Sequence, residues 1–254
     1  MAQSLSIAVT SRSFSQHPQL REELLARFPN TRIMFNDTGQ TLSGQALIDF
    51  LSSHHRAITS LERIDAAVLD AVPNLKVVSK YGVGLDSLDL CAMQERGVKL
   101  GWTPGVNRRA VAELVICFAI SLLRNFSRAQ TCEFDGAWNQ IKGKELSGRI
   151  VGIIGCGRIG KDVAKLARAF GCPVLAHDIV DYPKFYQSHD IASVTLDELL
   201  TRSDIVTLHT PLNDSTKNLL SADKLALMSS SSILINAARG GLVDEYALKI
   251  ALSS

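Results

Sequence analysis

The stretch VGIIGCGRIG, residues 151–160, decides the fold. The apolar run VGII predicts a buried strand, and Gly155, Gly157 and Gly160 follow it with the spacing GxGxxG as a helix opens. In that context the first glycine permits a tight turn, the second lets the backbone approach a pyrophosphate, and the third lets helix and strand pack closely. The helix N-terminus offers unpaired N–H groups to phosphate oxygens. At the expected distance of about 20 residues, ending the next predicted strand VLAHD, stands Asp178, placed to accept hydrogen bonds from an adenosine ribose. Its charge repels a 2′-phosphate, and Ile179 and Val180 bring no arginine to offset that, so NAD is expected over NADP.

Outward from this motif, strand-like and helix-like segments alternate in both directions. Before it come LSIAVT, a helix around 18–28, TRIMF, a helix around 43–53, AITS, a helix around 62–71, LKVVSKYG, a helix ending near Gly97, and VKLG. After it come a helix to about Phe170, CPVLAHD, a weak strand over 191–194, a helix through Leu200, DIVTLHT, a helix over 222–228, and SILINAA. The alternation implies two parallel sheets covered by helices, an α/β architecture. The turn TPG, 103–105, is the candidate boundary and divides the chain into 1–102 and 103–254.

The most apolar run, AVAELVICFAISLL (110–123), contains Glu113 and falls short of the ~20 residues that cross a bilayer, so it reads as a buried helix. Being apolar on nearly every face, it is expected between two protein layers at a domain or subunit junction. With 27 basic against 25 acidic residues and basic groups no denser than the pair Arg108-Arg109, no phosphate-tracking surface is announced, and neither nucleic acid nor membrane is an expected partner. Cys91, Cys117, Cys132, Cys156 and Cys172 form no CxxC pair and no metal-ligand cluster, which fits a reducing, cytoplasmic setting, and several lie in apolar stretches where buried thiols are usual. The N-terminus, MAQSLSIAVTSRSF, lacks the basic flank and long apolar core of a signal peptide and reads as a first strand.

Two further features carry chemistry. In YGVGLDSLD (81–89) the N–H groups around Gly82, Val83 and Gly84 could cup a small anion such as a carboxylate; equally, the segment reads as a tight strand-to-helix turn capped by Asp86 or Ser87. Arg239 follows SILINAA and precedes a Gly-Gly turn, at a strand end where open α/β sheets bind ligands. A guanidinium there can hold a carboxylate by two parallel hydrogen bonds and polarise a neighbouring carbonyl.

Taken together, YGVGLDSLDL, TPGVNRRAVAELVICFAISLLR, GAWNQIKGKELSGRIVGIIGCGRIG, VLAHD, DIVTLHTPLNDSTKNLL and INAARGGLVDEYAL resemble, in order, the D-isomer-specific 2-hydroxyacid dehydrogenases, nearest to the D-3-phosphoglycerate dehydrogenase branch. The resemblance implies a flavodoxin-like N-terminal substrate domain, a NAD-binding Rossmann domain, a homodimer formed with help from the apolar helix after TPG, and a small 2-hydroxy or 2-keto acid as substrate. It further implies that Gly155, Gly157, Arg158, Ile159 and Gly160 line the pyrophosphate, that Asp178 holds the ribose, and that Thr210, Ala237 and Ala238 touch the cofactor. Val83 and Gly84 would present amides near the substrate carboxylate and nicotinamide, and Arg239 would bind the substrate carboxylate and oxygen.

In that family a histidine takes the hydroxyl proton, steadied by a glutamate, and both lie a few dozen residues beyond the arginine. The histidines here are His17, His54, His55, His177, His189 and His209, all before Arg239, and His209 matches a family position near the cofactor instead. Because a positioned acid–base is worth about 10²- to 10⁴-fold, impaired turnover with retained NAD binding is expected. The expectation is also of a fragment or frameshifted product, with SILINAA left as an apolar edge strand. Three readings follow: a dehydrogenase with its C-terminal strands missing, a catalytically empty NAD-binding protein or partner subunit, and an interaction module that leaves the cofactor motif unused. Hydroxypyruvate, glyoxylate and 3-phosphohydroxypyruvate stay unranked as substrates.

Overall fold

The computed structural model describes residues 5–134 and 141–253, with side chains of 131–134 excepted. Residues 136–140 of the GAWNQIKGKELSG stretch lie outside the described residues, as does the side chain of Cys132. The chain divides into two compact units, Met1–Val106 and Asn107–Ser254.

The first unit runs β1 (Ser6–Val9), α1 (Arg12–Ser15), α2 (Pro18–Arg27), β2 (Arg32–Phe35), α3 (Gly44–Leu51), β3 (Arg56–Thr59), α4 (Ala66–Ala71), β4 (Val77–Lys80), α5 (Leu90–Glu95) and β5 (Lys99–Gly101). All its strand pairs are parallel, in the order β2-β1-β3-β4-β5, the flavodoxin-like arrangement. Its core joins Ala8, Ala57 and Val78 from the strands to Leu47, Leu51, Val68, Leu69 and Met93 from the helices. The predicted helix over 62–71 begins only at Ala66, because residues before it are spent on a bridge: Ile64 N–H donates to Ser87 O at 2.8 Å, and Asp89 N–H donates to Ile64 O at 2.9 Å. The same bridge delays α5, whose cap is Asp89, accepting from Ala92 N–H at 2.9 Å, rather than Asp86 or Ser87.

The second unit runs α6 (Arg108–Leu123), α7 (Phe126–Phe134), β6 (Val151–Ile154), α8 (Arg158–Ala169), β7 (Val174–His177), α9 (Pro183–His189), β8 (Ile191–Ser193), α10 (Leu196–Arg202), β9 (Ile205–Leu208), α11 (Ala222–Leu225), β10 (Ile233–Asn236) and α12 (Glu245–Ala251). Its parallel sheet has the order β10-β9-β6-β7-β8, which, counted from β6, is the Rossmann order 3-2-1-4-5 read from the other edge. Both faces are covered, so the strands read as apolar runs rather than alternating ones. Ile153, Ile205 and Ile235 pack with α6 and α8 on one face, and Ile154, Val206 and Leu208 pack with α10, α11 and α12 on the other. Helix α8 earns its place through Gly160, Val163, Ala164 and Ala167, buried at the spacing of one helical face.

Two expectations meet a different outcome in detail. Helix α6 buries Ala112, Val115, Ile116, Ala119 and Leu123, but its opposite face leaves Leu114, Phe118 and Leu122 exposed at 45%, 41% and 53% within this chain. The thiols divide as well: Cys156 and Cys172 are buried, whereas Cys91 and Cys117 are exposed. Strand β10 is at the edge of the sheet in this chain, as expected for SILINAA, and a cavity of about 470 Å³ lined by Leu122, Met228, Ile233, Leu248 and Leu252 runs beside it. No helix among the described residues is long and apolar enough to cross a membrane.

Candidate functional site

Parallel strands end together, so loops following β6, β7, β9 and β10 share one edge of the second sheet. Gly155 leaves β6 with φ +92°, a conformation that L side chains rarely adopt, and its N–H donates to His177 O at 2.8 Å. A Cβ at Gly155 would lie 2.8 Å from the His209 carbonyl carbon and 2.9 Å from Thr210 Cγ2. The turn after β6 therefore presses against the loop after β9. These two strands are neighbours in the sheet although two others intervene in sequence, which is the switch point where open α/β sheets receive ligands.

Gly157 is the N-cap of α8, and no side chain caps that helix. Where a Cβ at Gly157 would project there is no atom within 4 Å, so the N-cap of α8 is open at that point. Unsatisfied first-turn N–H groups and the positive end of the helix dipole suit an anion there. A dinucleotide pyrophosphate fits this space. Gly160 is different: its Cβ would fall 2.2 Å from Gly155 O, so helix and turn are in contact through the missing side chain.

Asp178 follows β7 and is half-buried. Its Oδ2 accepts from Cys156 N–H at 2.6 Å and its Oδ1 accepts from Val180 N–H at 2.8 Å. Ile179 beside it is fully exposed and no arginine follows. Cys156 is wholly buried; burial pushes its thiol up to about 11, eased by a hydrogen bond with Tyr186 of α9, so it is an inert, packed group. Around it Tyr182, Phe185 and Tyr186 form an aromatic cluster, with Lys161 Nζ 3.3 Å from the centre of the Tyr182 ring.

Thr210 follows β9, and Ala237, Ala238 and Arg239 follow β10. Asn236 shapes that last loop, accepting from Ala238 N–H at 3.1 Å and donating to Arg239 O at 2.7 Å, while the Arg239 guanidinium donates to Ala238 O at 2.8 Å. In the first unit, Gly82 follows β4 with φ +134°, and Val83 O accepts from the Trp102 indole N–H at 3.1 Å. The side chain of Ser87, instead of capping a helix, pairs with Lys80 Nζ at 2.7 Å.

The family resemblance sets His209 and Thr210 near the cofactor, but that their polar atoms, and that of Asn107, lack partners gave no signal in the sequence. Four buried side-chain atoms find no hydrogen-bond partner among the described residues, and three of them are Asn107 Oδ1, His209 Nδ1 and Thr210 Oγ1. Asn107 stands at the N-cap position of α6 without a side-chain cap bond, and Arg108 and Arg109 after it reach Asp162 of α8 at 3.5 and 3.6 Å. His209 and Thr210 touch the glycine turn through their backbone and methyl group. Buried polar atoms without partners are rare, and those of His209 and Thr210 lie beside the glycine turn, where a polar ligand would satisfy them. Burial lowers the His209 imidazole to about 4, so it is neutral, with Nε2 3.0 Å from Thr207 Oγ1. No group of three or more metal-binding side chains occurs among the described residues.

Residues 116–254 match the family model for the NAD binding domain of D-isomer specific 2-hydroxyacid dehydrogenases. Hydroxypyruvate reductase of Thermotoga maritima is 38% identical over 197 residues, which are 75% of this chain and 62% of that protein. D-3-phosphoglycerate dehydrogenase of Methanocaldococcus jannaschii is 35% identical over 198 residues, 77% of this chain and 38% of the relative. A solved structure of the pyruvate reductase of Chlamydomonas reinhardtii superposes with a TM-score of 0.82 at 28% identity, covering 99% of this chain and 74% of that one. The chain thus spans less than two thirds of the length of these curated relatives.

Proposed function

The chain belongs to the D-isomer specific 2-hydroxyacid dehydrogenases, a family of NAD-dependent oxidoreductases, and from that premise we propose that it binds NAD(H) through its second unit and serves the interconversion of a small D-2-hydroxy acid and its 2-keto acid. The observation that carries the reading is the pairing of an open, uncapped helix N-terminus at Gly157 with the carboxylate of Asp178, 2.6 Å from the amide of the intervening Cys156.

When bound, NAD supplies hydride chemistry at its nicotinamide. The work of this chain is to hold and orient. The amides of Gly157, Arg158, Ile159 and Gly160 receive the pyrophosphate, Asp178 receives the ribose hydroxyls, and Thr210, Ala237 and Ala238 border the cofactor on the loops after β9 and β10. Arg239 takes the substrate carboxylate and oxygen, because its planar fork matches a carboxylate and its charge draws electron density from an adjoining carbonyl. In the first unit, the turn amides of Gly82, Val83 and Gly84 suit a small carboxylate. The relatives named for hydroxypyruvate and D-3-phosphoglycerate support a short, polar 2-keto acid or its 2-hydroxy acid as the substrate class, phosphorylated ones included. The exposed stripe Leu114, Phe118 and Leu122 is the homodimer face.

A second reading, NAD binding without turnover, rests on the state of the second unit's histidines. His209 is half-buried and neutral with Nε2 3.0 Å from Thr207 Oγ1, His177 Nδ1 lies 3.1 Å from Val194 O, and His189 Nδ1 lies 3.1 Å from Phe185 O, so each ring has a nitrogen engaged by local structure. Proton transfer at the substrate oxygen needs a group within reach of it. Following NADH oxidation with hydroxypyruvate, glyoxylate, pyruvate and 3-phosphohydroxypyruvate separates the two: oxidation with any of them establishes the dehydrogenase, and NADH binding with none oxidised establishes the cofactor binder.

A further inference from the structure

Asp178 is engaged by the backbone of its own unit. Both of its oxygens accept backbone N–H groups, Oδ1 from Val180 at 2.8 Å within its own loop and Oδ2 from Cys156 at 2.6 Å in the glycine turn. Cys156 is wholly buried, so its amide has no solvent to turn to. The turn around it is held at each neighbouring point: Gly155 N–H donates to His177 O at 2.8 Å, Gly155 lies against His209 and Thr210, and Gly160 lies against Gly155 O. The Cys156 thiol meets Tyr186 of α9, so the segment after β7 grips this residue by both its amide and its side chain. Gly157 itself has open space and no cap. The direction in which Gly157 and the first turn of α8 face therefore depends on how Cys156 is anchored.

We infer that Asp178 is a positioning residue as well as a ribose ligand: its carboxylate fixes the glycine turn before any cofactor arrives, so part of its contribution to dinucleotide affinity does not pass through the ribose. This rests on the NAD-binding reading of the second unit. A carboxylate that only met the ribose would add nothing to a nucleotide lacking both hydroxyls. A carboxylate that also holds the Cys156 amide adds to any ligand whose phosphates sit on the turn, because without it a buried N–H loses its partner and the phosphate-binding amides lose their fixed direction.

Calorimetric titration of ADP and 2′,3′-dideoxy-ADP into the wild-type chain, Asp178→Ala and Asp178→Asn tests this, with folding of each variant checked by thermal melting. Asp178→Ala is expected to weaken dideoxy-ADP about tenfold and ADP by more, following the loss of one charge-assisted hydrogen bond. Asp178→Asn retains one acceptor oxygen for two amides and should fall between. In the cofactor-free proteins the Cys156 amide should exchange with solvent about tenfold faster once the carboxylate is gone. Dideoxy-ADP binding that is equal in wild type and folded variants, with ADP alone weakened, overturns the inference. A wild-type chain that binds neither nucleotide overturns the NAD reading instead, and unchanged Cys156 exchange in the variants then rejects the anchor independently.

Discussion

Gly160, in the first turn of α8, lies so close to Gly155 that a Cβ at 160 would be 2.2 Å from the Gly155 carbonyl oxygen. The contact is between backbones, which have no flexible end to swing aside. Gly160→Ala must push α8 away from the turn, and we expect a loss of about 3 kcal/mol in stability together with loss of NADH binding. Urea unfolding and an NADH titration measure both; a variant as stable as wild type would mean that helix and turn are not packed in this way.

Gly157→Ala should behave in the opposite sense. An added methyl meets nothing within 4 Å in the protein, and the negative φ of −73° avoids the left-handed strain that would penalise a side chain. Stability should fall by about 1 kcal/mol or less, the difference between glycine and alanine at an N-cap. NADH affinity should drop at least about tenfold, because the methyl occupies the face that a pyrophosphate approaches. Unchanged affinity would place the pyrophosphate elsewhere.

Stability should decline on mild acidification. Burial lowers His209 from the usual 6.5 to about 4, and burial reinforced by Arg32 lowers His54. Both are neutral in the folded chain and take up protons more readily when unfolded, so the stabilisation is complete above pH 6.5 and is lost as pH falls toward 4. His209 accounts for about 2 kcal/mol of loss by pH 5. The urea midpoint should therefore fall between pH 7.5 and pH 5, less steeply in His209→Gln; a midpoint that stays level over that range contradicts burial of these rings.

On the proposed role of Arg239 as a substrate ligand, Arg239→Ala is expected to weaken binding of the keto acid while leaving NADH affinity within about twofold. Titrating hydroxypyruvate into the NADH complex reads this whether or not turnover follows. Where turnover is present, KM should rise and kcat fall together. Equal behaviour of the variant would remove Arg239 from the site.

Phe118 stands at the centre of the exposed stripe on α6, between Leu114 and Leu122 one helical turn to either side. An exposed apolar stripe of this kind marks an association face. Analytical ultracentrifugation should find a dimer for the wild-type chain and a folded monomer for Phe118→Glu. A wild-type monomer at the highest soluble concentration would assign the stripe to something other than a second copy.

The order of strands and helices was legible because each buried parallel strand prints as a short apolar run, and VGII, VLAH, IVTL and ILIN all do. The glycine turn and Asp178 were legible for the same reason: each sits where such a run ends. Helix α9 was not, since PKFYQSH carries no apolar period and is held by Tyr186 packing beneath the glycine turn. Nor was the cap of α5, because the choice of Asp89 over Asp86 follows from a bridge between Ile64 and Leu88, a contact between distant segments. The apolar sequence of α6 announced two buried faces, whereas one chain alone buries only one. The anchoring of Cys156 N–H by Asp178 was invisible in principle: spacing shows that the acid is near the turn, but not that it is already bonded to it.

The most direct measurement is fluorescence titration of the folded chain with NADH and with NADPH. The account predicts saturable binding of one NADH per chain, displaced by NAD, with NADPH at least about tenfold weaker because its 2′-phosphate meets the Asp178 carboxylate and no offsetting arginine. A folded chain that binds neither, or that binds NADPH as tightly as NADH, would contradict it.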